Sequence, residues 1–160
     1  MTNEERFVAG ALNGWKGNIE RADKLFSNLT AEQLVKEVAP GKNRLVYLWG
    51  HLTAVHDGML PLLGFGPRLH ADFDEVFIAK ADKAAASLPS GDELKKAWNE
   101  VNSKLAEAFA KLSAADWLQK HSAVSEEDFA KEPLRNRFAI LLSRTGHLAY
   151  HLGQIALVPK

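Results

Sequence analysis

Six of the 160 residues are histidine, at positions 51, 56, 70, 121, 147 and 151, and there is no cysteine. Without a thiol the chain has no disulfide, no CxxC redox pair, no thiolate metal site and no Cys nucleophile. Any chemistry falls to imidazoles, carboxylates, hydroxyls or a bound ion. His147 and His151 are an i,i+4 pair in the run His-Leu-Ala-Tyr-His. On a helix that spacing sets both rings on one face, about 5 to 6 Å apart at Cβ, within reach of one ion. The same spacing suits two hydrogen-bonded core histidines, so a metal site needs a third ligand. His51 is the natural one, because it shares a helical stripe with Leu48 and Val55. His56 lies about 140° further round the same helix and points elsewhere. His70 and His121 fall in expected loops and are expected to face solvent.

The elements that would position these side chains can be read from hydrophobic spacing. From Glu4 to Asn28, Val8, Leu12, Trp15, Ile19, Ala22 and Phe26 step by four and three, which predicts a long amphipathic helix. Thr30 with Gln33 forms a capping pattern for a short helix over Ala31 to Lys36, and Pro40-Gly41-Lys42-Asn43 reads as a turn. A second long helix starts at Arg44 and ends near residue 60, after Asp57-Gly58 and before Pro61. Residues 64–90 carry no sustained period, and a link that long within a compact domain is expected to cross the structure. Ser90 with Glu93 caps a third helix, carried by Leu94, Trp98, Val101, Leu105, Ala108 and Leu112. The fourth helix is placed from Pro133, as a first-turn residue, to about Val158. Its FAILL run at 138–142 is apolar on nearly every side, so that helix is expected to be central or covered by a partner chain.

No stretch alternates with period two, so the expected fold is all-α: a single domain over residues 1–160, with a long crossover between helices 2 and 3 that leaves the middle helices parallel. Lys plus Arg and Asp plus Glu number 20 each, for a formal net charge of zero. A neutral chain without a basic block is a poor match for nucleic acid, whose phosphates need clustered cations. Neither a membrane-spanning run nor an export signal is recognisable, which points to the cytoplasm.

The fourth-helix run GHLAYHLGQIAL resembles the H-x-x-Y-H-x-G-Q-I signature of the DinB-like (damage-inducible, YfiT-like) metalloenzyme superfamily. The similarity extends through LTAEQLVKEVAPGKNRLVYLWGHL in the second-helix region and LPSGDELKKAW at the start of the third. The resemblance implies a four-helix bundle in up-down-down-up order and a divalent ion, Zn or Ni, held by His51, His147 and His151. It also implies a homodimer. The chain departs from that family where it stops at IALVPK, short of the basic residue and further chain that relatives carry.

Three neutral imidazoles leave a bound dication strongly Lewis acidic, able to activate water or a thiol. The resemblance favours the thiol: some relatives are mycothiol- or bacillithiol-dependent transferases, and one is a maleylpyruvate isomerase. A small-molecule substrate and a low-molecular-weight thiol cosubstrate are therefore expected. The alternatives are a metal-dependent hydrolase and a non-catalytic, stress-associated metal-binding dimer. Positions 148–150 are Leu, Ala and Tyr, so the Glu of an H-E-x-x-H peptidase is missing. Arg144, one turn before His147, is a candidate for holding an anionic group of the substrate. Gln154, one turn after His151, either orients a ligand or holds backbone. Tyr150 is expected to pack against a neighbour.

Overall fold

The computed structural model describes residues 1–159. Among these residues every regular element is a helix, and extended backbone pairs only at the isolated bridges Glu37–Arg44 and Lys120–Asn136. The four expected long helices are present as α1 (Asn3–Phe26), α3 (Leu45–Asp57), α6 (Gly91–Phe109) and α9 (Arg137–Ala156). Between α1 and α3 lies the short α2 (Ala31–Leu34), and α3 is prolonged past Gly58 by α4 (Met59–Leu62). Pro61 is tolerated there because it is the third residue of α4, where no intrahelical partner awaits its missing N–H.

Two segments without a sustained hydrophobic period contain three short helices: α5 (Phe73–Phe77) in the crossover, and α7 (Ala114–Trp117) and α8 (Glu126–Lys131) between α6 and α9. They are too short to show a hydrophobic period, and α7 and α8 are marked mainly by Ser caps. The third helix stops at Phe109 rather than at Leu112, because Ser113 opens the capping box of α7. The fourth begins at Arg137 rather than at Pro133. Asn136 is its N-cap, accepting the Ala139 N–H at 2.9 Å, and Pro133 stays in the preceding loop.

Packing makes α3, not the FAILL helix, the enclosed element. Every residue of α3 is buried except His51 and Val55, which stand one turn apart. Helix α6 covers one side, with Trp98 closing on Phe26 and His56, and α9 covers another. The crossover covers a third, running back along α3 from its C-terminal end to its N-terminal end. Buried Asp57 accepts the N–H groups of Leu69 and His70 at 2.8 and 2.9 Å, and Tyr47 donates its hydroxyl to the Lys80 carbonyl at 2.7 Å. Asp82 takes both the backbone N–H of Arg44, at 2.8 Å, and its guanidinium, at 2.7 Å. The crossover thus satisfies donors at the N-terminus of α3 that its own N-cap residue leaves open. The FAILL run is mostly covered from within: Leu141 is buried, Phe138, Ala139 and Ile140 are half-buried, and Leu142 is exposed.

Between the two apolar clusters of the core sits His56, fully buried against Trp15 and Trp98. Its Nδ1–H donates to Asn102 Oδ1 at 2.8 Å, and Asn102 donates in turn to the Trp98 carbonyl at 2.9 Å. This histidine is a core residue bonded to α6. Burial holds its pKa down to about 3, and the neighbouring His147, Arg144 and His51 charges act in the same direction against the Asn102 hydrogen bond. The sign of the pH effect follows. An unfolded chain protonates His56 below about pH 6.5, while the fold keeps it neutral until about pH 3, so stability is lost as pH falls through that window. Each proton the unfolded chain takes alone costs at most about 1.4 kcal/mol per pH unit. Urea unfolding between pH 7 and pH 5 should show His56→Gln with the shallower pH slope of the two proteins; equal slopes would remove His56 from the acid sensitivity.

Candidate metal centre

His51 reaches the site from α3, and His147 and His151 from α9, 96 residues away from the first. His147 Nε2 stands 3.2 Å from His51 Nε2 and 3.1 Å from His151 Nε2. Ligating atoms of all three fall within 4.8 Å of one another, and every one of the three rings is half-buried. The sequence-expected triad is therefore assembled as a cluster positioned to hold a metal ion.

Two of the rings have their tautomer set from outside the cluster. His51 Nδ1 donates to the Phe77 carbonyl at 2.8 Å, and His151 Nδ1 donates to Gln154 Oε1 at 2.7 Å. Their Nε2 atoms are consequently bare lone pairs, both aimed at His147 Nε2. One proton on His147 could lie between at most one such pair; a cation satisfies all three. Two nitrogens each about 2.0 to 2.1 Å from a tetrahedral ion stand about 3.3 Å apart, which the observed separations nearly match. The donor set fits a divalent ion.

The two α9 rings are held toward the neutral, ligating form. Burial, then the nearby His151, His51 and Arg144 charges, push the His147 pKa down to about 4. His151 is lowered too, first by burial and then by His51, against the opposing hydrogen bond from Gln154.

The supporting groups divide by how visible they were. Gln154 carries a role left open in the sequence: it orients His151, with its own amide donating to the Tyr150 hydroxyl at 3.3 Å. Tyr150 is largely exposed rather than packed. Phe77, by contrast, was missed. It lies in the crossover, where no periodicity singled it out, and it acts through backbone. What seats it is Gly50, the residue before His51: a Cβ there would lie 2.2 Å from Phe77 Cζ. A glycine inside an otherwise apolar helix was the available signal for that close approach.

Of the other histidines, His70 is half-buried rather than solvent-facing, bonded through Nε2 to Glu100 at 2.9 Å. His121 is also half-buried, its Nδ1 accepting the Ala123 N–H at 3.3 Å. Neither joins the triad. Beside the triad an open cleft of about 460 Å³ is lined by Val55, Ile78, Arg68 and Arg144 among others. Val55 is one turn from His51, Ile78 follows Phe77, and Arg144 is one turn from His147, so the cleft adjoins the cluster. Its volume lies within the range of small-molecule sites. No helix among the described residues is long and apolar enough to cross a membrane.

The chain matches the sequence profile of the DinB superfamily over residues 15–155. No curated protein matches it. Metal content of purified protein, measured by elemental analysis after equilibration with Zn²⁺ or Ni²⁺, should be about one ion per chain. Substituting Ala at His51, His147 or His151 should remove most of it, His70→Ala and His121→Ala should not, and Gln154→Ala should weaken binding by about 10- to 100-fold, as loss of an orienting partner does. Full metal content in His51→Ala would sink the ligand assignment.

Proposed function

Because the chain belongs to the DinB superfamily, we propose that its histidine cluster holds a divalent ion, Zn or Ni, and that the protein is a metal-dependent S-transferase joining a low-molecular-weight thiol to a small electrophile. The observation that carries this reading is the convergence of three imidazoles beside a cleft of substrate size. When bound, an ion with only neutral ligands would supply Lewis acidity, stabilising a thiolate at neutral pH. His51, His147 and His151 would hold that ion, and Phe77 and Gln154 fix which nitrogen each outer ring presents. The thiol must come from a cosubstrate, since the chain has none. No carboxylate joins the three histidines within that cluster among the described residues, and positions 148–150 lack the Glu of an H-E-x-x-H hydrolase, which favours the thiol over water as nucleophile.

In the same reading the four long helices form one up-down-down-up bundle. The pairing of α1 with α9 and of α3 with α6, and the crossover laid back along α3, support that order. We also propose a homodimer. From Thr145 to Val158 the chain has no Asp, Glu, Lys or Arg, and α9 leaves Leu142, Gly146, Ala149, Tyr150 and Gly153 exposed. Such a face suits a second copy better than water.

Two measurements test these proposals. Conjugation of an electrophilic aryl halide with bacillithiol, mycothiol and glutathione should proceed with remetallated protein and fall by about 100-fold or more in metal-free protein or His51→Ala, a difference of a few kcal/mol in the barrier. Ester turnover that tracks metal without added thiol would replace the transferase by a hydrolase. In light scattering at micromolar concentration the protein should be dimeric and Gly153→Glu monomeric. A Cβ at Gly153 meets nothing within 4 Å, so the isolated chain accepts that change, and an unaltered dimer would clear this face of a role.

A further inference from the structure

The cleft beside the triad has one cation with nothing to balance it. Of the two guanidinium groups in its lining, Arg68 is paired with Asp74. Among the described residues Arg144 has no acidic partner and makes no hydrogen bond. Its Nε is buried without a partner, and the residue lines the cleft. A guanidinium at the cleft wall thus has hydrogen-bonding capacity that the protein leaves unused. Around it the wall is largely apolar: Ala54, Val55, Leu62 and Ile78. The one hydroxyl, of Ser122, is already spent on the Pro61 carbonyl at 2.9 Å. An arginine left unpaired against apolar surface forgoes hydrogen bonds that an anion would restore, and a planar fork matches a carboxylate with two parallel bonds. Its charge is felt at the histidines, where it helps hold His147 neutral.

We propose that Arg144 binds the carboxylate of the substrate or thiol, so that the site selects small carboxylate-bearing molecules with an apolar body. This rests on the metal-dependent reading above in one respect: the histidine cluster takes one end of the molecule and Arg144 the other, one helical turn away. Arg144 is the specificity-determining group, and Arg68, already neutralised, adds little.

Two titrations decide this. In metal-free protein, the Arg144 Nε–H signal, assigned by its loss in Arg144→Gln, should shift saturably with propionate and not with 1-propanol. In cobalt-loaded protein, the thiolate absorption band should show 3-mercaptopropionate binding about 10-fold or more tightly than 2-mercaptoethanol, the ratio expected of one charge-assisted hydrogen bond. Arg144→Gln should erase that preference while taking up cobalt normally, and Arg144→Lys should restore part of it. An equal response to propionate and 1-propanol, or equal affinity for the two thiols in the wild type, overturns the assignment. Failure to take up cobalt would instead overturn the metal-dependent reading, and the metal-free titration would still decide the role of Arg144.

Discussion

The hydrogen bond from His51 Nδ1 to the Phe77 carbonyl joins the two halves of the molecule's logic. Helix α3 is too apolar to face water, so it needs cover on every side, and the crossover supplies the side that α6 and α9 leave open. The bonds that strap it there, at Asp57, Tyr47 and Arg44, satisfy backbone and side-chain groups that would otherwise be buried unpaired. Because the strap passes over Gly50, a carbonyl arrives where His51 needs an acceptor. Covering the helix and orienting His51 are therefore one event.

The second constraint is electrostatic. Burial first, and then the neighbouring charges, hold His147 and His151 toward the neutral form. These two rings offer lone pairs in place of protons. His56, equally neutral but tied to Asn102 and enclosed by tryptophans, shows the contrast: the same residue on the same helix becomes structural when its surroundings leave no open side.

Much of this was legible in the residue spacing, because long amphipathic helices repeat a signal many times. The stripes of α1, α3, α6 and α9 and the pairing of His147 with His151 follow from periods of three and four, whereas spacing alone left the full triad open until the family resemblance pointed to it. Short elements offer no such repetition, which is why α5, α7 and α8 did not emerge and why Asn136 rather than Pro133 starts the last helix. Phe77 was invisible for a different reason. It contributes a carbonyl, which every residue has, and only the path of the chain decides where that carbonyl lies. His70 shows the same blindness from the other side, since its partner Glu100 lies on another element.

The 96-residue separation between His51 and His147 has a thermodynamic side. The two face each other only when the crossover, α6 and all that follows are in place, so the unfolded chain offers an ion little more than the local pair on α9. Occupancy and folding are then linked equilibria: an ion at 1,000 times its dissociation constant adds about 4.1 kcal/mol to the folded state. Set against the margin of about 5 to 15 kcal/mol typical of a folded domain, such binding would weigh on how long the protein persists.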